Sequence, residues 1–509
     1  MSRKTIRAII DAHAQTQPEA PFLIAPEPNV TITYAGLRDA CRSIGGELAL
    51  AGIPAGSVVS FMLPNGVSAV SVFLGAMYAG YVVAPISLLA QDAQLDHVLP
   101  HSGTRVVFAD PAHVERLRAS AARTGARVIV RTTDVDDIGF SGHARTACPA
   151  VPTRDQPALL MYTSGTTGVP KGALLSHWNI VHGARAVAEA HRLGPTDRVL
   201  SSLPLYHING QCIATVTPLV SGGSVVAPHR FSTGAWWSLV ERHTPTWLNV
   251  VPTIIAYLLN GPELGAAQRD ACRRVRFARS ASAPLPPEQH RAFEQRFGIP
   301  VLEAMGLTEC ASVAFANPLD PAKRKLGSPG LPLGVEARVV SPAGETLPVG
   351  AQGEIQLRGE NVMLGYYKSP ELTHASLSGD GWLSTGDLGY ADEEGYYFIT
   401  GRLKELIIKG GENIAPREID EALLTHPAVL EAAAVGIPDA LYGQEILACV
   451  VLKPAAECSV EELRTHCLHR LGRFKTPAQF RIVHELPKGP SGKVQRLKLL
   501  DDGRPARSA

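Results

Sequence analysis

Apolar runs of strand length alternate with helix-length amphipathic segments through roughly the first three hundred residues. The strand-like runs cover 57–63, 106–109, 127–130, 159–163, 199–203, 224–227 and 246–250. Alternation of this kind predicts parallel sheets covered by helices. Past Ser328 the character changes to short strands with glycine and proline turns, at Glu336–Val340, Gly353–Arg358 and 396–400, which predicts a β-rich subdomain. After Gly401-Arg402-Leu403-Lys404 a compact α+β pattern follows: a helix over Pro416–Leu424, strands over 429–436 and 445–453, and a helix over 460–471. The expected fold class is α/β. A large N-terminal domain (1–401) of parallel-rich sheets flanked by helices carries the β-rich subdomain. A hinge (402–404) leads to a small α+β C-terminal domain (405–509), whose end frays from Asp501.

The longest uncharged run, Leu48 to Gln91, is long enough to raise the question of a membrane span. Its most apolar part, Val67 to Ala90, is broken by Gly75, Gly80, Pro85 and serines, and 81–85 reads as a strand. A buried helix followed by a buried strand is the expectation, with no integral membrane contact. The N-terminus has basic residues without a continuous apolar stretch, so it reads as an amphipathic helix and not a secretory signal.

Composition narrows the function classes. The chain has 509 residues, 45% hydrophobic and 19% charged, which suits a globular protein of two or more domains. Its 48 basic and 47 acidic residues leave a net charge of +1, which argues against a nucleic-acid-binding surface. Eight scattered cysteines form no C-x-x-C pair and fit a reducing, cytoplasmic setting.

The most informative stretch is Met161-Tyr162-Thr163-Ser164-Gly165-Thr166-Thr167-Gly168-Val169-Pro170-Lys171-Gly172. A buried strand runs into glycines, hydroxyls and one lysine, and a helix-like segment begins near Trp178. Glycines let backbone N–H groups approach an anion, hydroxyls add donors and the lysine adds a point charge, so the loop reads as a polyphosphate cradle. It is not a Walker A loop, because Pro170 stands where that pattern needs glycine and Gly172 follows the lysine in place of Ser or Thr.

This stretch resembles the signature loop of the adenylate-forming superfamily, which includes acyl-CoA synthetases, firefly luciferase and peptide-synthetase adenylation domains. The resemblance implies that Thr163, Ser164, Gly165, Thr166, Thr167, Gly168 and Lys171 hold the ATP phosphates. Further motifs follow in family order. Pro204-Leu205-Tyr206-His207 is similar to the segment lining the acyl pocket, and Ser282-Ala283-Pro284 to the turn that packs on adenine. Gly306-Leu307-Thr308-Glu309 is similar to the motif whose Thr touches phosphate and whose Glu holds Mg²⁺, and Asp387 stands where the family grips the ribose. Arg402 is expected near ribose and phosphate, Lys404 as the pivot of a mobile C-terminal domain, and Lys493 as the lysine that enters the adenylating site. Gly410-Gly411-Glu412 falls on the face expected to meet coenzyme A.

The implied chemistry is activation of a carboxylate by ATP and Mg²⁺ to acyl-AMP with loss of pyrophosphate, then transfer to coenzyme A. A stand-alone enzyme loading an acyl-carrier protein is the alternative. By position the acyl pocket would contain His207, Asn209, Gly210, Val251, Ala304 and Ser312. Segment 279–329 resembles small-acid ligases such as oxalate–CoA ligase, with departures at Met305, where an aromatic ring usually stacks on adenine, and at Ser312, where histidine is expected. Ala304 replaces the arginine that malonate ligases are expected to carry, so a second carboxylate lacks that partner; a small or medium monocarboxylate is preferred, with a fatty acid left open.

Overall fold

A computed structural model describes residues 4–139, 151–163, 170–488 and 494–500. Two large sheets dominate the part before Arg402. One has nine strands, in the order Leu331–Pro332, Phe315–Ala316, Val301–Met305, Phe277–Ser280, Trp247–Val250, Arg198–Leu200, Ser224–Val226, Pro21–Ala25 and Val30–Thr33. The neighbouring pairs from Val301–Met305 through to Pro21–Ala25 are parallel, and the edges are antiparallel. The other has seven: Gly365–Tyr366, Lys171–Ser176, Pro157–Thr163, Val82–Pro85, Val58–Met62, Val106–Ala109 and Ile129–Thr132.

Strand periodicity sends alternate side chains to opposite faces. In the nine-stranded sheet Trp247, Phe277 and Leu302 join one core cluster, while Leu248, Val250, Ala278 and Val301 join another on the opposite face. The apolar run after Leu48 resolves into the helix Val67–Tyr78, every residue of which is buried, and the strand Val82–Pro85. Helix Tyr34–Leu50 crosses it closely: a Cβ on Gly75 would sit 2.8 Å from Ile44 Cγ1. Among the described residues no helix is long and apolar enough to cross a membrane.

A four-stranded antiparallel sheet follows, Glu336–Val340, Gly353–Arg358, Leu383–Ala391 and Tyr397–Arg402. After it, strands Ile407–Lys409, Glu412–Ile414, Val429–Asp439, Gly443–Leu452 and Gln479–Ile482 pack on helices Pro416–Leu424 and Val460–Lys475 around a core of their own. The predicted elements recur with shifts of a few residues at their ends.

One element departs from expectation. The helix expected near Trp178 is present, but an unanticipated strand, Lys171–Ser176, precedes it, running antiparallel to Pro157–Thr163 and pairing Lys171 with Thr163. Helix His177–Ala190 begins only after that strand, its N-terminus satisfied by a Ser176–Asn179 capping box. The Asn179 N–H donates to the Ser176 hydroxyl, and the His177 and Trp178 N–H groups donate to the Gln156 and Arg154 carbonyls, so these first N–H groups are already taken.

Burial keeps several histidines neutral: it pushes His177 and His207 down to about 4 and, with the nearby Arg279 charge, His191 to about 3, from an ordinary 6.5. These groups take up protons near pH 6.5 only when the chain unfolds, so the unfolded state binds more protons below that pH and stability falls as pH drops. Glu303, pushed up to about 7 by burial, opposes this but is outnumbered. The melting temperature is expected to fall between pH 6.5 and about 5, before most carboxylates titrate, with about 1.4 kcal/mol lost per pH unit per net proton. His191→Gln should flatten the slope in a melting series, and a flat wild-type profile over that window would contradict this account.

Candidate active site

Ser164, Gly165, Thr166, Thr167, Gly168 and Lys493 lie outside the described residues. The stems of the loop, Thr163 and Lys171, are described and form a register pair at the end of their hairpin. The short strand Gly365–Tyr366 extends that hairpin, pairing Tyr366 with Ala173, while Tyr367 N–H donates to the Gly172 carbonyl at 2.7 Å. This register lays the Tyr366 ring beneath Lys171, whose Nζ is 5.4 Å from the ring centroid. The Tyr366 hydroxyl in turn donates to Glu309 Oε1 at 2.9 Å. Tyr366 therefore links the loop lysine to the predicted metal-binding acid, and its own ionisation is pushed up by burial and by the Glu309 charge.

Thr308 and Glu309 sit on a single 3₁₀ turn, Thr308–Cys310, and the Met363 N–H donates to the Glu309 carbonyl at 2.8 Å. Cys310 is buried, which pushes its thiol up to about 12, and it senses both the Glu309 and the Asp387 carboxylates. The two acids thus flank one buried residue. Asp387 forms an ion pair with Arg402, Nε to Oδ1 2.9 Å, across paired strands. Its other oxygen, Oδ2, is buried without a hydrogen-bond partner among the described residues. A buried carboxylate oxygen in that condition can accept hydrogen bonds from ligand hydroxyls, which is the demand a ribose makes.

Backbone approach shapes the region expected to take adenine and the acyl group. A Cβ on Gly306 would sit 2.1 Å from the Ser312 carbonyl, and one on Gly210 would sit 2.4 Å from the Pro204 carbonyl, so neither position admits a side chain without backbone movement. Ser282, Ala311 and Ser312 all hold left-handed φ angles of 74°, 53° and 67°. Strained non-glycine residues gathered in one place are a mark of functional sites. Asn209 and Gly210 begin a π-helix, Asn209–Val216, a geometry frequent at such sites. Asn209 donates to Ser282 Oγ at 3.1 Å, and Asn249 donates to Asn209 Oδ1 at 3.1 Å. Ala304 and Ala281 share a small buried cluster, Val251 is buried at the start of helix Pro252–Leu259, and Met305 is half-buried. Ala283 and Pro284 continue the turn from Ser282.

Lys404 is exposed on the turn Leu403–Glu405, directly after Arg402. Gly410 and Gly411, at φ 58° and 84°, close the hairpin that pairs Lys409 with Glu412. Both glycines and Glu412 are exposed, whereas Lys409 is buried and ion-paired to Glu445.

The AMP-binding enzyme family matches residues 10–367, and the AMP-binding enzyme C-terminal domain matches 418–493. The chain belongs to the AMP-binding enzyme family. It is 54% identical to a sulfoacetate–CoA ligase of Cupriavidus necator, over 98% of this chain and 97% of that one. It is 32% identical to an oxalate–CoA ligase of Arabidopsis thaliana, over 97% and 98%. ATP-bound MatB from Rhodopseudomonas palustris superposes with a TM-score of 0.90 at 31% identity, covering 98% of both chains. The o-succinylbenzoate CoA synthetase of Bacillus subtilis, in complex with its acyl-adenylate intermediate, gives 0.85 at 31%, covering 98% of this chain and 99% of that one. The protein is an AMP-forming acid–thiol ligase of the α/β class that uses ATP and coenzyme A. Loading of a carrier protein is not favoured.

Sequence reasoning missed Tyr366. Removing its hydroxyl in Tyr366→Phe leaves the ring under Lys171 but takes a donor from Glu309, at a cost of about 1–2 kcal/mol. Pyrophosphate release is expected to slow by about 10-fold with little change in melting temperature. An unchanged rate would mean that Glu309 does not depend on this contact.

Proposed function

We propose that the acid this ligase activates is a short carboxylate bearing a second anionic group, with sulfoacetate as the leading candidate. The observation that carries the reading is the 54% identity, over nearly the full length of both chains, to a sulfoacetate–CoA ligase.

The carboxylate oxygen attacks the α-phosphorus of ATP and pyrophosphate leaves, so anions must be brought together in line and the leaving group neutralised. In our reading Lys171 and the loop from Thr163 to Gly168 hold the pyrophosphate end, with Thr308 contributing its hydroxyl. Asp387 takes the ribose through its unpartnered oxygen, and Arg402, held on that same carboxylate, lies at the ribose–phosphate junction. Adenine packs between the Ser282–Pro284 turn and the Met305–Gly306 backbone. Glu309 is the group that would hold Mg²⁺, which supplies charge neutralisation at the phosphates. Lys493 bridges the substrate carboxylate and the α-phosphate.

The second half-reaction needs room for a thiol where Lys493 stood. Domains 1–401 and 405–509 rotate about 402–404 with Lys404 as pivot, which brings the exposed Gly410–Glu412 turn to the pantetheine path. The thiol then attacks the acyl carbonyl and AMP leaves.

Two measurements test this reading. Pyrophosphate release across a panel of acids, with and without coenzyme A, should show turnover with sulfoacetate and acyl-CoA as product; turnover confined to acids with an uncharged far end would refute the substrate assignment. Lys493→Ala should slow adenylation by about 100-fold or more while sparing thioester formation from supplied acyl-adenylate. Equal loss in both half-reactions would contradict the role given to Lys493.

A further inference from the structure

Arg279 lies in the middle of the nine-stranded sheet, on strand Phe277–Ser280, and is 0% exposed. Its Nε, Nη1 and Nη2 all lack hydrogen-bond partners among the described residues. Burial pulls the guanidinium down only to about 10, so it stays charged at neutral pH. A buried charge with no counter-charge is among the least tolerated features of a protein interior and calls for a compensating group.

No acid among the described residues is placed to supply one. Arg279 shares a face with Phe277, and its register neighbours are Asn249 and Leu302, neither of them acidic. The adjacent acid Glu303 aligns with Ser280 and so faces the opposite side of the sheet, where it accepts from the Leu285 N–H. On the Arg279 side His191 is also fully buried, with both ring nitrogens unpartnered among the described residues, and is held neutral. Asn249, the neighbour in register, donates to Asn209, which donates to Ser282, so Arg279 leaves its strand on the face that carries the acyl-side network.

None of the predicted acyl-pocket side chains is charged: His207 is held neutral by burial, and Asn209, Gly210, Val251, Ala304 and Ser312 carry no ionisable group. We propose that Arg279 is the specificity residue of the acyl pocket and binds the second anionic group of the acid, a sulfonate or comparable oxyanion, through its guanidinium fork. The inference rests on the substrate reading above and adds to it the group that does the selecting. A guanidinium presents parallel N–H donors to two oxygens of a sulfonate or carboxylate, and a pocket that holds the far anion leaves the reacting carboxylate directed at the phosphate.

The test compares sulfoacetate with methylsulfonylacetate, which keeps the shape and loses the far charge, in wild type and in Arg279→Met. Arg279→Met is expected to lose about 100-fold or more in kcat/KM on sulfoacetate but less than about 5-fold on the neutral sulfone. The ratio is read within one preparation, so a partly misfolded fraction cancels; Arg279→Gln carries the same comparison if the Met variant does not fold. An unchanged ratio, or equal loss on both acids, overturns the role of Arg279 while leaving sulfoacetate as a substrate. A wild-type enzyme that prefers the neutral sulfone overturns the substrate reading and this inference together. Turnover of a different dianionic acid, with the same collapse in Arg279→Met, supports Arg279 and corrects only the identity of the anion.

Discussion

The proposed nucleotide end of this molecule depends on the pairing of Thr163 with Lys171. An antiparallel hairpin leaves its loop no freedom to choose where its ends emerge, so the flanking residues of the phosphate loop are set by a sheet ladder and not by the loop. The same ladder accepts Gly365–Tyr366 as a further strand, which slides an aromatic ring under Lys171 and a hydroxyl onto Glu309. Chain segments almost two hundred residues apart are thereby brought into one charge arrangement: a cation, a polarisable ring and an acid. A strand-to-helix loop of the Walker type would instead lend the phosphates a helix N-terminus, and here that terminus is closed by its own cap.

Much of the architecture was legible in the residues. The alternation of apolar runs with amphipathic segments anticipated the two large sheets, and the breaks at Gly75, Gly80 and Pro85 turned an apparent membrane span into a buried helix and strand. The site was legible in a different way: no isolated Glu309 or Asp387 signals chemistry, and only the ordered resemblance of several motifs named them. Strand Lys171–Ser176 escaped because a glycine loop with a lysine reads as the approach to a helix, and six residues are too few for periodicity to correct that. Tyr366 escaped because its partner lies across the sheet, and a two-residue strand leaves no pattern. Arg279 had a signal that could have been used. A charged residue inside an apolar run of a central parallel strand, buried on both faces, contradicts what such strands carry.

The rest of the site shows the backbone doing what side chains usually do. Gly306 against Ser312 and Gly210 against Pro204 are contacts of main chain on main chain, closer than any Cβ allows. Ser282, Ala311 and Ser312 hold left-handed conformations that local preference opposes, and packing must impose them. Where adenine and the acyl chain are proposed to meet, main chain lies on main chain, and Asp387 is paired to the half-exposed cation Arg402. The Asp387–Arg402 pair uses only one carboxylate oxygen, so a ligand can engage the other without breaking it.

Charge placement explains how such a site can tell acids apart. In the proposed reading Lys171 and Arg402 stand at the phosphate end, where any substrate of this reaction brings negative charge, and contribute little to choosing among acids. Discrimination has to come from the far end of the pocket, where His207 is kept neutral and the small residues offer shape alone. A hydrophobic pocket separates ligands that differ by one methylene only weakly, whereas a buried polar group left unmatched penalises the wrong ligand strongly. In the proposed role the Arg279 guanidinium, unpaired among the described residues, selects by what a doubly anionic acid gains from it. An acid without a second anion leaves the charge as it stands in the free protein, and an acid that brings one converts a destabilising feature of the fold into binding energy.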